Sequence, residues 1–219
     1  MRSRFDMELE QLNTELIEMG NMVESAINAA ANGIIQQNPA IANEAYEIER
    51  EIDRQEREIE NHCMKLLLLN QPVASDLRLI STALKMITDM ERIGDQAADI
   101  AELCVHLSKQ PFIKKLDHIS QMAKATIKMV KDSVDAFIGR DLELAKSVIA
   151  ADDEVDDLYN QVKHDLLGLI QEDTHNGEQA VDLLSIAKYL ERIGDHATNI
   201  AEWVMFAITG RHVKEEHNS

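Results

Sequence analysis

Apolar residues recur at helical spacing along almost the whole chain. Leu9, Leu12, Leu16, Met19, Val23, Ile27 and Ile34 make one stripe, which predicts a first helix over residues 4–37. Asn38 and Pro39 read as an N-cap followed by proline in the first turn. They start a second helix that carries Ala45, Ile48, Ile52, Ile59 and Leu66 and ends near Asn70. Pro72 opens a third, to about Lys109, and Lys109-Gln110-Pro111 breaks the pattern. A fourth helix is expected over 113–138, with Gly139 as the residue just past its end. Asp141 caps a fifth that runs to about Gln171, and the 173–177 loop precedes a sixth that ends near Thr209.

The six stripes fall into two matched sets of three. Ile27, Ile34, Ala42, Ile52 and Ile59 align with Val130, Phe137, Ala145, Val155 and Val162 at a constant shift of 103 residues. In the third helices the shift is 100, so the first half carries three extra residues in its second loop. A shift that changes inside a loop is what duplication followed by trimming leaves. The expected fold is all-α: two tandem, similar, antiparallel three-helix bundles over 1–110 and 111–209, with a polar tail at 210–219. A 34-residue helix of such a bundle is about 50 Å long.

The strongest repeat is chemical. Glu91-Arg92-Ile93-Gly94-Asp95 returns as Glu191-Arg192-Ile193-Gly194-Asp195, and Ile100-Ala101-Glu102 as Ile200-Ala201-Glu202, while Asp99 becomes Asn199. In a helix, residues four apart share a face, so each motif sets Glu and Asp side by side with Cβ atoms about 6 Å apart. A second pair lies on the second helix of each half: Glu49 and Asp53, matched by Asp152 and Asp156. Glu49 and Asp152 fall on the apolar seam positions themselves (42, 45, 49, 52, 56, 59, 63, 66 and 145, 148, 152, 155, 159, 162, 166, 169). On a wet face, like charges four apart cost only about 0.2–0.5 kcal/mol and ask for nothing more. At a helix seam, unpaired carboxylates cost several kcal/mol each and call for protons, arginines or metal ions. Arg50, Arg92 and Arg192 each adjoin a Glu in sequence, and the 100° step of a helix is expected to turn them away from it. Clustered oxygen ligands on facing helices suit hard cations, iron or manganese.

Composition narrows the partners. The net charge of −18 opposes non-specific nucleic-acid binding and adhesion to an anionic membrane, and the longest apolar run, 66–69, is far too short to span a bilayer. Two cysteines in apolar helical settings, Cys63 and Cys104, suit buried packing in a reducing cytoplasm, and the amino terminus lacks a signal-peptide run. Trp203 and Phe206 read as core or interface anchors, while His106 and His196 are edge ligands at most and more simply surface or capping residues.

With its duplicated three-helix plan and paired acid-x-x-x-Asp motifs, the chain from about residue 5 to 208 resembles the PhoU family of bacterial phosphate-signalling proteins. The resemblance implies a cytoplasmic homodimer, not an enzyme, that negatively controls phosphate uptake and the phosphate-starvation regulon. Its partners would be the ATPase subunit of the phosphate ABC transporter and the phosphate sensor histidine kinase. It also implies multinuclear metal clusters, iron favoured over zinc, manganese or magnesium. Their residues would be Glu49, Asp53, Glu91, Asp95 and Asp99 in one half, and Asp152, Asp156, Glu191, Asp195 and Asn199 in the other. Two rivals remain. A ferritin-like carboxylate-metal enzyme needs Glu-x-x-His on two helices, and only Glu172 to His175 fits, in a predicted loop. A purely structural helical adaptor would leave the acids solvated.

Overall fold

The computed structural model describes residues 2–70 and 72–212. Six long helices make up the fold: α1 (Arg2–Ile35), α2 (Pro39–Asn70), α3 (Ala74–Leu107), α4 (Asp117–Gly139), α5 (Leu142–Glu172) and α6 (Gly177–Thr209), with a 3-10 turn at Thr174–Asn176. No strand occurs among the described residues. Of the expected polar tail, residues 213–219 lie outside them.

The predicted stripes are the core. Leu12, Leu16, Met19, Val23, Ile27 and Ile34 are buried on α1, and Leu9 is half-buried beside them. The five residue pairs that define the repeat are buried in both halves. Each half folds as three mutually packed antiparallel helices, and the halves join through α3 against α6 and α1 against α4. The α3–α6 contact is as extensive as the packing within a half, so a single apolar cluster runs through both bundles.

Local chemistry explains most helix ends. Asp141 caps α5 by accepting from the amides of Glu143 and Leu144, both at 3.0 Å. Asn38 accepts from the Ala40 amide at 3.0 Å as Pro39 enters α2. Three expectations need correction. Gly139 is still helical, and the left-handed residue that ends α4 is Arg140, at φ 51°. Helix α3 begins at Ala74, not at Pro72, because Val73 keeps an extended backbone as its N-cap. Helix α4 begins at Asp117 rather than at residue 113, because the preceding strap is tied down in another conformation. The Ile113 amide donates to Gln179 Oε1 at 2.6 Å, and Gln179 Nε2 donates to the Pro111 carbonyl at 3.1 Å. On the other side, Gln37 Nε2 donates to the carbonyls of Leu107 and Gln110. The connection between the halves is therefore held from both.

Close approach depends on one glycine above all. A Cβ at Gly33 would stand 2.5–2.7 Å from the backbone and Cβ of Ala42, where α1 turns into α2. Gly168, inside α5, has open space around it. Gly33→Ala should therefore destabilise the protein by roughly 1–3 kcal/mol, and Gly168→Ala should stabilise it by roughly 0.5–1 kcal/mol. Denaturant midpoints of the two variants test this; equal midpoints would contradict the packing described.

Candidate metal centre

Helices α2 and α3 meet in the first half, and α5 and α6 in the second, along the apolar seams that carry the acidic pairs. In the first half Ala45, Ile52 and Ile59 fill the seam of α2, and Glu49, Asp53 and Glu56 lie half-buried at its rim. Glu91 and Asp95 face them from α3, with Ile93 fully buried between. In the second half Val148, Val155 and Val162 bury, and Asp152 stays half-buried between them, opposite Glu191 and Asp195.

Glycine sets the separation of each pair of helices. A Cβ at Gly94 would come within 3.1 Å of Ile52 Cδ1, and one at Gly194 within 3.1 Å of Asp152 Oδ1. The glycine of each motif thus admits the neighbouring helix, and in the second half it cradles a carboxylate oxygen.

Burial and mutual repulsion act on these acids together. Burial raises the pKa of Glu49, and the charges of Asp53 and Asp95 raise it further. Glu91 is raised by burial and then by Asp95, with Arg92 opposing and Glu56 and Asp53 adding to the rise. In the second half Asp152 is pushed up to about 6 by burial, followed by Asp195, Asp156 and Glu191. Asp195, though exposed, is raised by burial and by Glu191, against the pull of Lys188. Each group of four acids is therefore one electrostatic unit.

Cations within the bundle reach these carboxylates. Arg92 Nε lies 3.3 Å from Glu91 Oε2, and its Nη1 lies 3.0 Å from Asp95 Oδ2, while Arg57 lies 3.4 Å from Asp53. The expectation that Arg92 turns away from Glu91 is corrected: the guanidinium sits at the end of a long side chain and folds back across the 100° step. Lys188 stands 2.6 Å from both oxygens of Glu191 but is aligned as a donor only to Oε1, which leaves the buried Oε2 without a hydrogen bond. Arg50 pairs with Glu47 and, after the larger effects of burial, Asp53 and Asp95, draws Glu49 down.

Asp99 lies one turn beyond Asp95; burial raises it, then Asp95 and Glu102, while Arg192 from the other half draws it down. Asn199 reaches α3 through its amide nitrogen. Its Nδ2 donates to Asp89 Oδ1 at 3.3 Å, and His196 Nδ1 lies 2.8 Å from the same oxygen, so both belong to a clasp between α6 and α3. His106 is exposed at the end of α3. Sequence reasoning missed Glu56 and Lys188, although both had a signal. Glu56 occupies a seam position one heptad after Glu49, and Lys188 precedes Glu191 by three. Asp89 gave none, because its partners are in the other repeat.

Among the described residues, no three His, Cys, Asp or Glu side chains converge on one point as a ready metal cage. The acids form an array along two helices, partly neutralised by Arg57, Arg92 and Lys188. The donor set nevertheless fits a hard cation. It is all oxygen and partly desolvated, and it includes the unbonded Glu191 Oε2 and the Asp152 oxygen cradled at Gly194. Ligation would require Asp53, Glu91, Asp95 and Glu191 to leave their internal cations.

The PhoU domain profile matches this chain twice, over residues 16–104 and 119–204. A phosphate-specific transport system accessory protein PhoU homolog of Clostridium acetobutylicum is 38% identical over 213 residues, 97% of each chain. The Pseudomonas aeruginosa PhoU homolog is 36% identical, over 96% of this chain and 88% of its own. The crystal structure of PhoU from Pseudomonas aeruginosa superposes with a TM-score of 0.90, at 35% identity over 94% of this chain and all of that one. A phosphate transport system regulatory protein PhoU of Streptococcus pneumoniae superposes at 0.87, with 27% identity over 95% of this chain and 99% of that one.

The raised pKa of Asp152 gives the second half a pH signature. Its folded carboxyl titrates near 6, above the unfolded value of about 3.9, so the folded state holds the extra proton between them. This group's contribution to stability therefore falls as pH rises from about 4 to about 6. In chelator-treated protein, Asp152→Asn should flatten that slope and stabilise the fold at pH 7 by on the order of 1 kcal/mol, allowing for solvent screening. Urea melts at pH 5 and pH 7 measure both effects; an unchanged slope would show that Asp152 is not the strained acid.

Proposed function

The chain belongs to the PhoU family, and we propose that it works as a metal-binding accessory protein that restrains phosphate uptake. In this reading it is a cytoplasmic homodimer that keeps the phosphate-starvation regulon off when phosphate is plentiful. It does so by engaging the ATPase subunit of the phosphate ABC transporter and the phosphate sensor histidine kinase. Its output is binding rather than turnover. The family supports the phosphate link, and the names of the relatives carry the accessory and regulatory role. Among the described residues, no helix is long and apolar enough to cross a membrane, which agrees with a partner that meets the transporter from one side.

The observation that carries the metal part is the gathering of matched carboxylates at two half-buried seams, where they raise one another's pKa. Glu49, Asp53, Glu91 and Asp95 would hold one cluster, with Asp99 at its edge. Asp152, Asp156, Glu191 and Asp195 would hold the other. A bound iron, zinc, manganese or magnesium ion would supply positive charge and open coordination positions on an otherwise anion-repelling surface. Gly94 and Gly194 keep the helices close enough for acids on both to share one site.

Deleting the gene should derepress phosphate-starvation genes in high phosphate, read as transcript levels. An unchanged response, with neither the transporter ATPase nor the sensor kinase retained by the purified protein, would leave only the adaptor reading. Elemental analysis tests the clusters separately. Asp95→Ala should lose the first half's metal and Asp195→Ala the second's. Equal metal in wild type and both variants would remove the site assignment.

A further inference from the structure

The strongest feature that the acidic clusters leave unexplained lies where α3 begins and α6 ends. The chain carries −18 overall, yet over residues 74–88 and 203–212, bordered by Asp89 and Glu202, it has Arg78, Lys85 and Arg211 against Asp76 alone. The contacts between α3 and α6 bring these segments together. Arg78 Nε lies 3.5 Å from the Ala207 carbonyl, and Thr82 Oγ1 lies 3.4 Å from that of Trp203. Lys85 Nζ stands 5.6 Å from the Trp203 ring centroid. Trp203 meets Phe206 edge-on at 6.0 Å, and Phe206 stacks on His212 at 4.3 Å. On α3, Leu77 is 48% exposed, in line with exposed Ser81 and with the Lys85 that lies over Trp203.

The repeat provides an internal control. At the shift of 100 residues, Leu77, Arg78 and Lys85 become Gly177, Glu178 and Ser185, and Trp203 and Phe206 become Leu103 and His106. The second half builds the same helix crossing with Leu103 and His106 in place of the aromatic pair and with neither an arginine nor a lysine at these positions, so the fold requires neither the cations nor the large aromatic rings. Aromatic side chains on a rigid seam, ringed by cations, are the composition of an interface centre.

We propose that the α3–α6 end formed by Leu77, Lys85, Trp203 and Phe206 is a docking surface for an acidic, amphipathic segment of a partner protein. The apolar side of such a segment would cover Leu77 and the aromatic pair, and its carboxylates would meet Lys85 and Arg78. Charge decides against an anionic membrane. The cations act at contact, within a Debye length of about 8 Å, whereas a broad anionic plane also faces the acids of the rest of the chain. This goes beyond the regulatory reading, and the two fail separately.

The test is photocrosslinking in living cells from benzoylphenylalanine placed at Ser81, in the full chain, with adducts mapped by mass spectrometry. The expected adduct is a protein segment with at least two acids beside apolar residues. Lys85→Glu and Leu77→Asp, both at exposed positions, should each lower its yield about tenfold while helix content and melting stay as in the parent. No adduct, an adduct with lipid or with a second copy of this chain, a segment without acids, or a yield indifferent to Lys85→Glu would overturn the docking surface. An acidic segment from a protein unconnected with phosphate import would keep this surface and remove the regulatory reading.

Discussion

Antiparallel burial of α3 against α6 is the contact on which the rest of the molecule depends. Each three-helix unit leaves one flank of its third helix for the other to cover, and the α3–α6 packing that results is as extensive as the packing inside a unit. The register is set by Thr82 at Trp203 and Asp89 at His196, which places the two Glu-Arg-Ile-Gly-Asp runs beside each other midway along the seam. From there the acids of one run face α2 and those of the other face α5. The same seam ends at the Trp203 and Phe206 surface. A change in the α3–α6 packing would therefore move both carboxylate arrays and that end together, because all three are built on two rigid helices.

Much of this is legible in the sequence because helical periodicity and internal duplication are both written in one dimension. The stripes of α1 and α2 are the core, and heptad spacing alone puts Glu49 and Asp152 at its rim. What escapes a one-dimensional reading needs a second chain segment. The start of α4 depends on Gln179, 66 residues beyond Ile113, holding the strap in place. Arg140 takes the left-handed turn expected of Gly139, and no propensity separates two adjacent residues that finely. The pairing of Arg92 with its neighbour Glu91 depends on side-chain length, which an argument from Cα directions leaves out.

The two arrays share a plan but not their neutralisation. Glu56, Arg57 and Glu60 of the first half correspond to Tyr159, Asn160 and Lys163 of the second. Arg57 and Arg92 spread positive charge over Asp53, Glu91 and Asp95, whereas in the second half Lys188 spends its charge on Glu191 and lies 5.5 Å from the Tyr159 ring. Asp152 is left with four acids acting on it and is the one carboxyl here driven to about 6. A guanidinium bridging two carboxylates is harder to displace than an ammonium held by one. A cation arriving at the second array relieves more repulsion and breaks a weaker internal pair. On the proposed metal-binding reading, the duplicated halves are expected to differ in affinity, with the second array the first to fill as metal is titrated in.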